Sequence, residues 1–330
     1  MLVYAGIDEA GYGPLLGPLC LGCAVFAVRD HDPSQGAPDL WAALKRGVCR
    51  SPSDRRGRVA VEDSKRLKGP NDAKAHPLRH LERGVLAFMG QCAGAPGARC
   101  PCDDDALFEA LGVSLPAPTV APWYQGSSRL PLAHDAAQIE LATAIVTQSL
   151  AESSITCEGL SCIGVDVREF NQQLARTRNK SAISFEAIAK LLDRLWRRWP
   201  QAHPRAVVDR QGGRLMYREP LAQCFPESSI TILGETERIS RYRLEREGSL
   251  LTVSFEAESE GAHLPTALAS MAAKLCRELL MARLNAWFAR HHPAVRSTAG
   301  YVADGRRWLS EMSAVLDGLG IDREGLVRRG

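Results

Sequence analysis

A charge imbalance is missing from this sequence. Its 330 residues carry 41 Lys and Arg against 38 Asp and Glu, a net of +3, so no excess of either sign announces a charged partner. Any nucleic-acid surface must then come from local clustering. Long hydrophobic runs are missing too: the longest, Leu15 to Val28, is about 14 residues broken by Gly17, Pro18 and Gly22, where a membrane helix needs about 20. Acids at Asp8 and Glu9 occupy the place of a signal peptide's basic region, so a cytoplasmic chain without a membrane partner is expected. Cysteine, at 10 residues, is too thin for a disulfide scaffold. What is present is globular: 45% hydrophobic and 24% charged residues exclude a disordered or collagen-like chain. At roughly 150 residues per domain, the length allows one large domain or two modest ones.

The chain opens on a strand, Met1 to Asp8, that runs into the turn Gly11-Tyr12-Gly13-Pro14 and a second apolar strand ending near Val28. Residues 29–60 are polar and rich in Pro and Arg, and residues 92–130 are rich in Gly, Pro and Ala; both read as insertions. Helical spacing appears weakly over Lys74 to Met89, then over Asp135 to Leu150, and clearly over Ser181 to Trp199, whose apolar stripe ends at Pro200. Strands are expected at Leu160 to Val167, Ala206 to Asp209, Ser229 to Leu233 and Leu250 to Phe255. The longest helix is expected from Pro265 to Arg290, opening a C-terminal helical part. Interspersed strands and helices give an α/β class around one mixed sheet.

Two groups of cysteines have a bland reading. Cys20 and Cys23 form a C-x-x-C inside an apolar strand, where Cys behaves as a small hydrophobe. Cys92, Cys100 and Cys102, with His76 or His80, are possible zinc ligands, but their spacing is not that of a standard zinc knuckle.

The acids carry more. Asp8 and Glu9 end one apolar strand and Asp209 ends another, and strand ends are where α/β sheets expose functional groups. Oxygen-only ligands of this kind suit Mg²⁺ or Mn²⁺, and two such ions would clamp the attacking and leaving oxygens of a phosphoryl transfer. A turn cap at Asp8 and an Asx-turn at Asp209 explain the same spacing equally well.

Longer motifs shift that balance. Gly6-Ile7-Asp8-Glu9-Ala10-Gly11-Tyr12-Gly13-Pro14, with Gly17-Pro18 following, resembles the opening motif of the ribonuclease HII and HIII family. Glu62-Asp63-Ser64-Lys65-Arg66-Leu67 is similar to its Asp-Ser-Lys segment, and Ala206-Val207-Val208-Asp209 to the strand delivering its third acid. The stretch from Glu258 through His263-Leu264 to Ala269-Ser270-Met271-Ala272-Ala273-Lys274 resembles its last acid and the helix after it, and Phe170-Asn171 and Asn179 resemble asparagines of ribonuclease HIII.

That resemblance implies a ribonuclease H-like fold in a single domain over residues 1–330, decorated by the two insertions, with a C-terminal helical part from about 265 that holds the duplex. It implies two-metal hydrolysis of the RNA strand of RNA–DNA hybrids, leaving 3′-hydroxyl and 5′-phosphate ends. Asp8, Glu9, Asp209 and Glu260 would be both catalytic and metal-binding, with Glu258 the register alternative to Glu260. Gly11, Tyr12, Gly13, Lys65, Arg210 and Tyr301 would bind substrate, either a hybrid or DNA containing ribonucleotides, and the chain would work as a monomer. Tyr12 stands where the family has Arg or Lys, so it brings no positive charge to the phosphate. A catalytically weakened hybrid-binding protein, or another metal-dependent nuclease on the same fold, are the competing readings. Eleven arginines between Arg194 and Arg246 suit backbone phosphates; for Arg238 to Arg246, pairing with Glu235, Glu237, Glu245 and Glu247 is the alternative.

Overall fold

The computed structural model describes residues 1–32, 36–71, 74–92 and 100–329, so parts of both expected insertions, 33–35 and 93–99, lie outside the described residues. The strands are β1 (Leu2–Ala10), β2 (Leu19–Val28), β3 (Val48–Cys49), β4 (Val59–Ala60), β5 (Ile155–Val165), β6 (Arg205–Asp209), β7 (Ser229–Glu235), β8 (Ile239–Arg246) and β9 (Ser249–Glu256). The helices are α1 (Leu40–Ala43), α2 (Ser64–Leu67), α3 (Arg79–Cys92), α4 (Asp104–Leu111), α5 (Ala136–Glu152), α6 (Val167–Thr177), α7 (Lys180–Arg198), α8 (Arg218–Cys224), α9 (Leu264–His291) and α10 (Val302–Gly318).

Seven strands form a mixed sheet in the order β5-β2-β1-β6-β9-β8-β7. The central strand β1 pairs antiparallel with β2 and parallel with β6, and β6 pairs parallel with β9. Alternation along β1 divides the core. Leu2 and Tyr4 join a cluster beneath α3, α5 and α9, while Val3, Ala5 and Ile7 join a second cluster beneath α7. Cys20 and Cys23 are buried in β2, where burial pushes the Cys23 thiol up to about 12, so it stays protonated and inert. Cys100 is half-buried and Cys102 exposed; the side chain of Cys92 lies outside the described residues.

Helix α9 lies directly on strand backbone. A methyl group on Gly6 would sit 2.0 Å from the Thr266 nitrogen, and one on Gly22 would sit 2.1 Å from the Ala269 carbonyl oxygen. Only glycine permits that approach. Pro265 opens the helix where its missing N–H costs nothing.

The segments expected as insertions are tied into the same core. Trp41, Phe108 and Trp123 belong to the cluster under α9. The acidic run is an anchor: Asp103 caps α4, and Asp104, fully buried, takes Arg283 of α9 in two hydrogen bonds of 2.9 and 2.6 Å, with Asp105 adding a third at 2.7 Å. Such a paired buried charge is costly to break from either side. One strand departs from expectation. β8 lies in the arginine-rich stretch read above as a charged surface, and its Tyr242 and Leu244 are buried between exposed Arg241, Arg243 and Glu245.

Gly6→Ala is expected to lower unfolding stability by about 3 kcal/mol or more, because neither partner backbone has room to retreat. Gly318→Ala, in open space at the end of α10, should be neutral or stabilise by about 0.5 kcal/mol. Urea unfolding of the two variants reads both.

Candidate functional site

The parallel register sets Ile7 opposite Val208, so the next residues, Asp8 and Asp209, stand side by side where the β1–β6 pairing ends; β1 itself runs past the expected end at Asp8 to Ala10, still paired with β2. Both continue the alternation that faces α9. Asp209 is oriented by Ser259, which donates its backbone N–H at 2.9 Å and its hydroxyl at 3.0 Å to Oδ1. Ser259 opens a one-turn 3-10 helix, Ser259–Gly261, and that turn carries Glu260 inward. The alternative acid, Glu258, is exposed, with φ at 54°.

Asp8 and Glu260 are nearly buried, and Glu260 Oε2 has no hydrogen-bond partner. Burial pushes the Asp8 carboxyl well above its usual range; Asp209 and Glu260 push the same way, against a hydrogen bond from Ser270 of α9. Burial and then Asp209 raise Glu260 to about 7. Burial and the neighbouring Asp209 charge therefore both disfavour the ionised forms of Asp8 and Glu260. Oxygen-only donors, an orphaned buried carboxylate oxygen and mutual repulsion together fit a divalent cation. The acids are close without forming a ready cage: among the described residues, no three Asp, Glu, His or Cys side chains are gathered so as to hold a metal ion.

Glu9 diverges from Asp8. As the next residue on a strand it faces α7, where Ser184 donates to Oε2. Burial raises its proton affinity, and the Asp209 charge still reaches it. Lys65 stands opposite. Asp63 caps α2 by accepting the Lys65 N–H at 2.9 Å, and the Ser64 and Ser270 hydroxyls are hydrogen-bonded at 2.9 Å. Burial works against the Lys65 charge, but Asp63, Glu260, Asp8 and Asp209 raise it overall.

The Gly11–Pro18 loop is held from behind by two buried arginines. Arg328 donates to the carbonyls of Gly17 at 2.9 Å and Gly11 at 2.5 Å, and its backbone N–H donates to Leu15 at 2.9 Å. Arg277 donates to Leu16 at 3.3 Å and Ala299 at 3.0 Å. Gly11 has φ at +88°, and a methyl group there would lie 2.5 Å from the Arg277 side chain, so both backbone and space demand glycine. Burial and then the Arg277 charge bring Arg328 down to about 9. Tyr12 packs partly against the α7 cluster, and Gly13 borders open space. Tyr301 is half-exposed, with the Arg277 guanidinium 5.8 Å from its ring.

Other residues marked by motif are placed in support. Arg210 donates to the Glu237 carbonyl, which draws its guanidinium toward the β7–β8 turn. Asn171 is buried and clamps the C-terminal segment through the carbonyls of Glu324 and Val327, while Asn179 caps α7. Sequence reasoning missed a chain beside the acids. The Tyr4 hydroxyl donates to His263 Nδ1 at 2.5 Å, and His263 Nε2 donates to Glu256 at 2.9 Å. Glu256 pairs with Asp209 in the β6–β9 register. The available signal was a second carboxylate ending a strand.

The chain is similar in structure to RNase HII from Archaeoglobus fulgidus, solved in a complex with PCNA, at a TM-score of 0.43 and 16% identity over 99% of this chain and 94% of that one. Ribonuclease H2 from Pyrococcus horikoshii is similar at 0.39 and 12%, over 98% and 92%. Bst-RNase HIII, solved with Mn²⁺, is similar at 0.40 and 13%; 99% of this chain spans 66% of that one. No family model matches the sequence, and no curated protein does.

A Glu side chain titrates near about 4.3 in an unfolded chain and Glu260 near about 7 in the folded one, so the folded state holds an extra proton between. That contribution to stability is complete below the lower value and lost as pH rises through the higher. The urea midpoint of metal-free protein is expected to fall across this window, and Glu260→Gln to remove part of the fall. Separately, Arg328→Ala should speed amide hydrogen exchange over residues 11–17 while β2 keeps its protection.

Proposed function

We propose that the chain is a metal-dependent endonuclease that hydrolyses the RNA strand of RNA–DNA hybrids, leaving 3′-hydroxyl and 5′-phosphate ends. The observation that carries this reading is that Asp8 and Asp209 stand abreast on paired strands, and that nearly buried Glu260 is near enough for its charge to act on Asp8 and for that of Asp209 to act on it. Without a cation to hold, such a cluster is a pure cost. It also lies where the four sequence blocks that resemble ribonucleases HII and HIII meet: Asp8 in the first, Ser64 in the second, Asp209 in the third, Glu260 and Ser270 in the fourth.

Two Mg²⁺ or Mn²⁺ ions, when bound, supply Lewis acidity at the attacking and leaving oxygens. Asp8, Asp209 and Glu260 are assigned to hold them, with Glu9 as the fourth acid from the opposite face. Ser259 and Ser270 are positioning residues that orient Asp209 and Asp8. Lys65 faces the acids and offers its charge to the phosphate. The Gly11-Tyr12-Gly13 turn presents backbone to the ribose 2′-hydroxyl, the group that distinguishes RNA from DNA. Tyr301 offers an exposed ring for stacking at the strand junction, and Arg210 contributes through its place after Asp209. Residues 1–330 act as one domain and as a monomer in the cytoplasm, with α9 and α10 beside the duplex.

One observation favours a second reading, a hybrid-binding protein of weakened activity: Tyr12 brings no cation to the turn. The test uses purified protein with Mg²⁺ or Mn²⁺ and four labelled substrates: a hybrid, a duplex with a single ribonucleotide, plain DNA and branched DNA. Metal-dependent cleavage of the hybrid is expected, with Asp8→Asn slower by a factor on the order of 10²–10³. Cleavage indifferent to Asp8→Asn would overturn the assigned site, and hybrid binding with no turnover in either metal would establish the second reading.

A further inference from the structure

We propose that Arg214 supplies the positive charge that the Gly11-Tyr12-Gly13 turn lacks, its guanidinium binding, together with the Tyr12 hydroxyl, a backbone phosphate of the strand that lies at the acids. The inference deepens the function proposed above and rests on it for the identity of that strand.

Helix α7 brings Arg214 to the turn. Near its start it carries Ser181 and Ser184, three residues apart and so neighbours on one face, with about 5–6 Å between their Cβ atoms. Ser184 donates to Glu9, while Ser181 accepts a hydrogen bond of 2.7 Å from Nη2 of Arg214. The guanidinium is thus anchored one helical turn from the group that holds Glu9. Tyr12 packs partly against the same α7 cluster, and the charges of Glu9 and Arg214 both act on its hydroxyl. Burial and then Glu9 raise the proton affinity of that hydroxyl, so it keeps its hydrogen and can donate it.

Arg214 is held in place without being neutralised. The Ser181 hydroxyl donates to Asn179 Oδ1 at 2.9 Å, so the cap of α7 fixes the residue that fixes the guanidinium. The Arg214 backbone N–H closes a turn on the Gln211 carbonyl at 3.2 Å, and the Tyr217 ring lies 5.8 Å from the guanidinium. The two acids of α7 answer other cations: Glu186 pairs with Arg176 and Lys190, and Asp193 with Arg197 and Arg246. Among the described residues, no ion pair includes Arg214. Arg210 is nearer to Asp209 in sequence, but its guanidinium is spent on the Glu237 carbonyl.

A buried amide marks the same turn as incomplete. Gln211 is 6% exposed, yet neither polar atom of its side chain has a hydrogen-bond partner. Such a group is costly until something pairs with it. A methyl group on Gly13, Gly212 or Gly213 would meet nothing within 4 Å, so both loops leave room for a ligand to approach. An RNA strand brings phosphate oxygens that accept and a 2′-hydroxyl that also donates. The guanidinium fork takes two oxygens of one phosphate, and the phenol beside it adds a further contact.

Fluorescence anisotropy with a labelled hybrid, without divalent metal and over about 50–200 mM salt, reads binding independently of cleavage. Arg214→Ala is expected to bind on the order of threefold to tenfold more weakly at the low end, with a plot of log affinity against log salt shallower by about one. Arg214→Lys should keep most of the slope. Moving the charge across the site, in Tyr12→Arg/Arg214→Ala, should restore both slope and affinity, which a folding defect would not allow. Unchanged slope and affinity in Arg214→Ala would overturn the proposal, as would a loss that neither Arg214→Lys nor the added Tyr12→Arg repairs. Wild-type protein whose hybrid binding depends on Arg214 but which never cleaves with Mg²⁺ or Mn²⁺ overturns the proposed function alone. Wild-type protein that cleaves while Arg214→Ala binds and cleaves as well overturns this inference alone.

Discussion

At Gly6 and Gly22 no side chain separates α9 from the backbone of β1 and β2. That contact sets the depth of the helix on the sheet, and the depth decides which groups meet. Ser270 reaches Asp8 and Ser64 because its turn of α9 follows directly on the point of contact. Ser259 and Glu260 reach Asp209 because the short turn before α9 must span the small distance left over. Arg283, further along the same helix, then meets the buried Asp104. A one-carbon spacer at either glycine would displace all of these groups together, since a close-packed interior passes a shift along.

The site is also a problem of like charges solved separately on two sides of one loop. In front, Asp8 and Glu260 both have raised proton affinities, with the Asp209 charge among the causes of each. Behind the loop, Arg277 and Arg328 are buried; Nη2 of Arg277 and Nε and Nη1 of Arg328 donate to carbonyls. The arginines supply to the rear of the Gly11–Pro18 loop a positive field that Tyr12 does not supply to its front. Their hydrogen bonds fix the loop's backbone, and their charge sits in a medium that screens it weakly.

Legibility in the sequence followed the range of the interaction. β1, β2, α7 and α9 show one hydrophobic pattern over their whole length, and that pattern is local. β8 also has a pattern of two, with Tyr242 and Leu244 turned inward, but its arginines obscured a strand whose outer face is meant to be wet. The individual acids were legible at strand ends and in motifs; their grouping depends on the parallel pairing of β1 with β6, which no local signal specifies. The divergence of Glu9 was legible in principle, because neighbours on a strand face opposite sides. The Tyr4–His263 contact spans 259 positions and the Arg328–Gly11 contact 317, and nothing near either residue marks its partner. The anchoring role of Asp103 to Asp105, within a segment that reads as an insertion, has no local signal because its cation lies 179 residues away, the separation of Asp104 and Arg283.

The clasp of Arg328 on Gly11 has a consequence for biosynthesis. A ribosome releases the turn that follows Asp8 early, but the groups that shape it arrive only with residues 264–291 and then 328. Until residues 205–209 and then 264–291 are made, the first strand has its antiparallel neighbour and lacks both the strand carrying Asp209 and the helix that lies upon it. Long-range pairings of this kind form late, after their loop-closure entropy has been overcome. A chain that stops short of residue 209 therefore has no partner for Asp8, and the turn beside it gains its clasp only once residue 328 is made.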